Sequence, residues 1–349
     1  MKILIIQTAY IGDCVLTTPL VQRVHDDLIS SGDRLELLST PQGGEVFANN
    51  PYLDDILLYD KRNSERAIGS FFGLARRLLE RNYDIAILPH RSFRSGLISR
   101  MARISRRIGF AEAAGKAFYT DKIDRNMNIH EAERMLELLE PFGVEAKPCP
   151  TRVYPNDDQS AKAIDFLKSN GIEKTARILA IAPGTVWATK RYPPEKYAEV
   201  ARELLNIDLF DNVILIAGPS DRGICDVILN MTDSRVVSAS GCGDILFSAA
   251  LIRECGLLIG NDSGPGHVAA AVDTPVISIF GPTVPRFGFT PYGVDSRIIE
   301  PPISLNCRPC GLHGKKSCPR KDHACMQSIE PAKIVDAALE IVDDRSVGS

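Results

Sequence analysis

The chain has 349 residues, 44% hydrophobic and 24% charged, enough for a sizeable core and, at roughly 100–200 residues per domain, for two domains. Its 41 basic and 44 acidic residues leave a formal net charge of −3, which removes any global drive toward nucleic acid or an anionic membrane but permits a local patch. The composition also excludes disordered and fibrous classes.

The opening residues, Met1 to Gln7, carry one positive charge and an apolar run too short for a signal sequence. No stretch approaches the ~18 apolar residues of a spanning helix, so a soluble cytoplasmic protein is expected. Short β-rich apolar runs follow at 3–6, 35–38, 56–59 and 85–88, then at 178–182, 213–217, 236–238, 257–260 and 276–280, with helical stretches between them. Strands buried on both faces and alternating with helices predict parallel α/β sheets. The pattern restarts after the polar stretch 154–158 and a helix over 161–170 that ends at Gly171, as a C-terminal glycine should. The predicted domains are therefore 1–165 and 172–330. A tail from Pro331 has apolar Ile334, Val335, Ala338, Leu339 and Val342 at helical spacing and needs a surface to bury them. Neither half contains G-x-G-x-x-G or a Walker A pattern, which argues against an ordinary dehydrogenase or P-loop NTPase.

Four loops concentrate chemistry. Gly12 and Asp13 follow the first strand, where open α/β sheets bind ligands outside the carboxyl ends of their strands; Asp13 equally suits a helix N-cap. The segment His90-Arg91-Ser92-Phe93-Arg94-Ser95 follows the strand over 85–88, and Arg91 and Arg94 suit carboxylates or phosphates. The later Arg100, Arg103, Arg106 and Arg107 read as a solvated helix face. In the second half, the strand over 178–182 leads into a loop with Gly184, Thr185, the single tryptophan Trp187, Lys190 and Arg191, cations placed for phosphate. The strand over 257–260 leads into Asn261-Asp262-Ser263-Gly264-Pro265-Gly266-His267. This strand, Gly-rich loop and helix start present backbone N–H groups to an anion, while Asp262 suits sugar hydroxyls and His267 a phosphate oxygen.

Of nine cysteines, Cys14, Cys149, Cys225, Cys242 and Cys255 are scattered, but Cys307, Cys310, Cys318 and Cys325 fall together. Their C-x-x-C followed by wider spacings leaves a structural zinc site, neighbouring reduced thiols and disulfides all open, with His313 and His323 as competing ligands.

Taken in order, these motifs resemble glycosyltransferase family 9, the ADP-heptose:lipopolysaccharide heptosyltransferases. The resemblance runs through Ile11-Gly12-Asp13, Ser92-Phe93-Arg94-Ser95, Arg107-Ile108-Gly109-Phe110, His130-Glu131-Ala132-Glu133-Arg134, Lys190-Arg191-Tyr192-Pro193, the Asp262 to His267 loop and Phe280-Gly281-Pro282-Thr283. The segment from Ser92 to Ser95 is more similar to the second inner-core heptosyltransferases than to the first.

The resemblance implies a GT-B fold: two Rossmann-like domains facing across a cleft, an acceptor domain over 1–165, an ADP-sugar domain over 172–330, and a crossover helix over 331–349 returning to the first domain. It implies inverting transfer of heptose from ADP-L-glycero-D-manno-heptose to a lipid A-Kdo or heptosylated inner-core acceptor at the inner membrane surface, by a cytoplasmic protein peripheral to that membrane. No cofactor is implied for the chemistry, and no nucleic acid is implied as partner. Asp13 matches the family's base; Gly12, Arg91 and Arg94 fall on the acceptor side. Lys190, Thr185 and the helix start near His267 match positions that meet the leaving ADP, Asp262 the position that orients heptose hydroxyls, and Ser263 and Gly264 its phosphate side. Asp221 aligns with an acidic donor-site position. Where some members have two consecutive threonines, this chain has Thr185 followed by Val186. The rival readings are glycosyl transfer to another glycan or to a protein, and a nucleotide-sugar binding protein without transfer.

Overall fold

In the computed structural model, which describes residues 1–60, 68–145 and 147–347, the chain divides between Tyr154 and Pro155 into two units. The first contains the strands β1 (Lys2–Gln7), β2 (Arg34–Ser39), β3 (Asp55–Leu58), β4 (Ile85–Leu88), β5 (Arg106–Phe110) and β6 (Asp121–Ile123), paired in the order β3-β2-β1-β4-β5-β6. All are parallel, with Ile5 opposite Leu37 on one side and Ile87 on the other. Ile3, Leu4, Ile5 and Ile6 are fully buried, as expected of a central strand covered on both faces, at ~1.5–3 kcal/mol per side chain of this size. Helices α1 (Ile11–Leu16), α2 (Thr18–Leu28), α3 (Pro41–Phe47), α4 (Ile68–Glu80), α5 (Phe93–Met101) and α6 (Glu131–Leu136) complete this unit.

The second unit repeats the arrangement with β7 (Ile178–Ala182), β8 (Asn212–Leu215), β9 (Val236–Ser238), β10 (Leu257–Asn261), β11 (Val276–Ile279) and β12 (Ser296–Ile299), in the parallel order β12-β11-β10-β7-β8-β9. Its helices are α7 (Asp157–Ser169), α8 (Pro194–Asn206), α9 (Arg222–Asn230), α10 (Ile245–Arg253), α11 (Gly264–Ala270), α12 (Ala324–Gln327) and α13 (Pro331–Val347). In each sheet the strand order reverses beside the first strand, between β1 and β4 and between β7 and β10. Such switch points open a crevice at the carboxyl ends of the strands, and every loop singled out in the sequence leaves one of these four strands there.

One expectation changes. Helix α7, placed at the end of the first half by its sequence, opens the second: Phe166 meets Phe247 of α10 edge to face at 6.2 Å, and Gln159 donates to Asp244 at 3.1 Å. Helix α13 buries its apolar stripe within the second unit. Its Ile334, Val335, Ala338 and Ile341 are buried in one cluster with Leu204 and Leu205 of α8 and Ile277 and Ile279 of β11. Arg297 of β12 pairs with its Asp344 at 2.6 Å. The apolar stripe is therefore covered within the second unit; residues 348 and 349 lie outside the described residues. Among the described residues, no helix is long and apolar enough to cross a membrane.

Candidate active site

In the first unit, β1 runs out at Gln7 and α1 begins at Ile11, with Tyr10 as N-cap and Asp13 at the third helical position. Asp13 is thus half of a capping arrangement, its Oδ2 accepting from the Tyr10 N–H at 3.3 Å, and is not the N-cap itself. Gln7 holds the turn by donating to Thr17 Oγ1 at 2.7 Å, and Thr17 donates to the Asp13 carbonyl at 2.7 Å. Across the switch point Thr8 Oγ1 and His90 Nδ1 stand 3.0 Å apart, joining the ends of β1 and β4.

Burial pushes the Asp13 carboxyl up to about 6, the like charge of Glu131 adds to this, and Arg91 opposes it. Glu131 is itself buried at the start of α6, where it pairs with Arg125 and, at 2.8 Å, with fully buried Arg134. Gly12 adjoins Asp13, Arg91 is partly buried, and Arg94 on the first turn of α5 is exposed. Of the later arginines, Arg106 and Arg107 are not on a helix: they open β5, with Arg106 paired to Asp121 at 3.1 Å and Arg107 donating to the Phe118 carbonyl at 2.6 Å.

In the second unit, the loops after β7 and β10 meet at a buried ion pair. Lys190 Nζ donates to Asp262 Oδ2 at 2.6 Å and to the Asp262 carbonyl at 3.1 Å. Thr283, just past β11, donates its hydroxyl to the same Oδ2 at 2.6 Å. Asn261 braces the two loops, donating to the Pro183 carbonyl at 2.9 Å and accepting from the Tyr192 N–H at 3.0 Å. Thr185 is nearly buried, and Arg191 reaches its carbonyl at 3.1 and 3.2 Å while lying 3.5 Å from Asp221 Oδ1. Burial raises the Asp221 carboxyl, against the pull of Arg191. A Cβ on Gly184 would fall 2.3 Å from Asp221 Oδ2, so only glycine lets this carboxylate come so close to the backbone. Ser263 is the N-cap of α11, Gly264 its first residue, and His267 is buried on its first turn.

The structure thus groups Lys190 with Asp262, and Thr185 with Arg191 and Asp221, around one switch point. Sequence reasoning assigned no role to Asn261, Thr283 or Glu131, although Thr283 and Glu131 stand in motifs quoted for the resemblance; a hydroxyl directly after a buried strand was the available signal for Thr283. Of the readings left open for Cys307, Cys310, Cys318 and Cys325, the zinc site finds no support. All four are free thiols, and among the described residues no three His, Cys, Asp or Glu side chains gather to hold a metal. Cys310 is buried, its N–H donating to the Pro282 carbonyl at 2.7 Å, whereas Cys307 is exposed, so the C-x-x-C pair divides between interior and solvent. Cys325 is pushed up to about 11 by burial, with Cys318, Cys307 and Cys310 adding to it.

Comparison with known proteins follows the same lines. The family described as Glycosyltransferase family 9 (heptosyltransferase) matches residues 71–318. Lipopolysaccharide heptosyltransferase 2 of Salmonella typhimurium is 24% identical over 368 aligned positions, covering 99% of this chain and all of the relative. Among solved structures, a family 9 glycosyl transferase from Veillonella parvula superposes with TM-score 0.86 at 21% identity, covering 98% of this chain and 97% of the other. The E. coli ADP-heptose lps heptosyltransferase II gives 0.79 at 20% identity, with 99% and 100% covered. At these identities the structural likeness establishes the fold, which is GT-B.

Proposed function

The chain belongs to glycosyltransferase family 9, and from that premise we propose that it moves heptose from ADP-L-glycero-D-manno-heptose to the lipopolysaccharide inner core with inversion at the anomeric carbon. It is a glycosyltransferase; the donor, the acceptor and the residue roles are our reading. In this reaction an acceptor hydroxyl loses its proton as its oxygen bonds to the anomeric carbon, while the bond from that carbon to the ADP β-phosphate oxygen breaks. Asp13 takes the proton. A carboxyl held at about 6 is ionised at neutral pH yet basic enough to accept a proton in the transition state.

The leaving ADP gains negative charge, and Lys190 is the cation that meets it. Two of its three N–H donors go to Asp262, which leaves the third for a phosphate oxygen. Thr185, Ser263, Gly264 and His267 complete the phosphate side, and Asp221 with Arg191 lies toward the nucleotide. Asp262 orients the sugar: Oδ2 is occupied by Lys190 and Thr283, so Oδ1 accepts from a heptose hydroxyl. Because Lys190 supplies the positive charge, the chemistry calls on no cofactor.

Gly12, Arg91 and Arg94 receive the acceptor, whose carboxylates and phosphates suit guanidinium forks. An acceptor built on lipid A and Kdo would bring a cytoplasmic enzyme to the inner membrane surface.

The observation that carries the reading is the buried Lys190, Asp262 and Thr283 set at the β7/β10 switch point. Its test is ADP release from ADP-heptose with and without heptose-deficient lipopolysaccharide. Acceptor-dependent release is expected; binding without release would leave a nucleotide-sugar binding protein, and release only with a different acceptor would move the function to another glycan or to protein.

A further inference from the structure

The Thr283 hydroxyl reaches Asp262 from a loop that the sheet does not dictate. The chain leaves β11 at Ile279, and only the Phe280 N–H is tied to the neighbouring strand, donating to the Ile299 carbonyl at 2.8 Å. The carbonyls of residues 280–283 are instead held from the cysteine-bearing segment some 25 residues further along the chain. Arg308 Nε donates to the Gly281 carbonyl at 2.7 Å, and Arg308 Nη2 donates to those of Thr283 at 2.8 Å and Phe280 at 3.0 Å. The Cys310 N–H takes the Pro282 carbonyl at 2.7 Å, and Glu300 Oε1 fixes the guanidinium at 2.5 Å. One planar fork thus gathers three carbonyls within four consecutive residues, an arrangement that a lysine's point charge does not reproduce.

We propose that Arg308 is a positioning residue for the donor sugar, acting through Thr283 on Asp262. The chain of contacts is short: Arg308 to the Thr283 carbonyl, the Thr283 hydroxyl to Asp262 Oδ2, and Asp262 Oδ1 to the sugar. Thr283 and Lys190 together fix the rotation of the carboxylate, and only a fixed carboxylate presents Oδ1 in one direction. Without Arg308 the loop carbonyls turn to water, Thr283 loses its place, and the aspartate can rotate. Lys190 keeps its bond to the Asp262 carbonyl when the carboxylate turns, and Arg191 is held by the Thr185 carbonyl and Asp221, outside this loop. The effect therefore falls on the heptose more than on ADP. This inference rests on the donor-site reading above.

The test compares ADP and ADP-heptose binding by calorimetry, without acceptor, for the full-length wild type, Arg308→Ala, Arg308→Lys, Thr283→Val and the double variant Arg308→Ala/Thr283→Val. The expected result is a preference for ADP-heptose over ADP that falls about tenfold in Arg308→Ala and in Thr283→Val, with the double variant no worse than either single. Should Arg308→Ala not fold, Arg308→Lys carries the test, with the same selective loss expected. Equal losses for ADP and ADP-heptose, or additive losses in the double variant, would overturn the inference while the donor site stands. A wild type that binds ADP but shows no preference for ADP-heptose would overturn the donor-site reading and this inference with it.

Discussion

Lys190 Nζ stands 2.6 Å from Asp262 Oδ2, with both side chains nearly withdrawn from solvent. Breaking a buried pair by removing one partner typically costs ~3–5 kcal/mol, because the survivor is left as an uncompensated charge. Thr283 still donates to that oxygen, so Lys190→Met should fall at the low end of this range. Loss of the proposed charge-assisted phosphate contact, about 1.5–3 kcal/mol, predicts ADP binding weakened by roughly 10- to 100-fold. Calorimetric titration with ADP decides this; unchanged affinity would remove Lys190 from the donor site.

Asp13 predicts a conflict between stability and activity. Its pKa rises from 3.8 to about 6 on folding, so the folded state binds the proton more tightly than the unfolded chain. Stability from this group therefore declines as pH rises from about 4 to 6, and the full penalty is present at neutral pH. Asp13→Asn should abolish transfer and leave ADP-heptose binding nearly intact. It should also stabilise the protein at pH 8 by up to about 3 kcal/mol, with the gain vanishing near pH 4. Urea denaturation at the two pH values measures this, and a variant keeping a tenth of wild-type turnover would refute Asp13 as base.

The groups around Asp13 predict opposite movements of the acid limb of the rate profile. Glu131 raises its pKa and Arg91 lowers it. Glu131→Gln should shift the limb to lower pH and Arg91→Ala to higher pH, each by a fraction of a unit to about one unit. Glu131→Gln carries a stability cost as well, since it leaves buried Arg134 without its carboxylate. Transfer rates from pH 5 to 8 would show both shifts; a limb that stays fixed in both variants would mean that a group other than Asp13 titrates.

The strands read most easily from the sequence are those buried on both faces, such as β1 and β10, where hydrophobic runs have no other use. Strands β5, β6 and β12 escaped because they are short edge or near-edge strands with charged residues. Arg106 and Arg107 look like a solvated helix face until Asp121 and the Phe118 carbonyl are brought beside them. Helix α13 was legible as a helix, but its apolar stripe does not name the α8 and β11 side chains that cover it. The site divides in the same way. Asp13, Lys190 and Asp262 follow strands at switch points and stand out locally, whereas Thr283 and Arg308 act on residues about 20 or more positions away in the chain. Only tertiary structure reveals a partner at that distance. The cysteine spacing left zinc, reduced thiols and disulfides open, and the four free thiols, which do not gather to hold a metal, fit the second of these.

Gly184 gives a further check on the nucleotide side. Its missing side chain leaves the room that Asp221 fills, since an added Cβ would lie 2.3 Å from Asp221 Oδ2. Gly184→Ala must therefore push Asp221 aside, lengthening its 3.5 Å approach to Arg191, at ~1–3 kcal/mol for overpacking. If Asp221 serves the donor site, ADP affinity should also fall, by roughly tenfold. Adding Asp221→Ser should restore the space, and with it the melting temperature, without restoring affinity, because the carboxylate would be gone. Thermal melting and ADP titration of the single and double variants separate the two effects. If Gly184→Ala lowers stability but leaves ADP affinity at the wild-type level, Asp221 shapes the loop and does not serve the nucleotide.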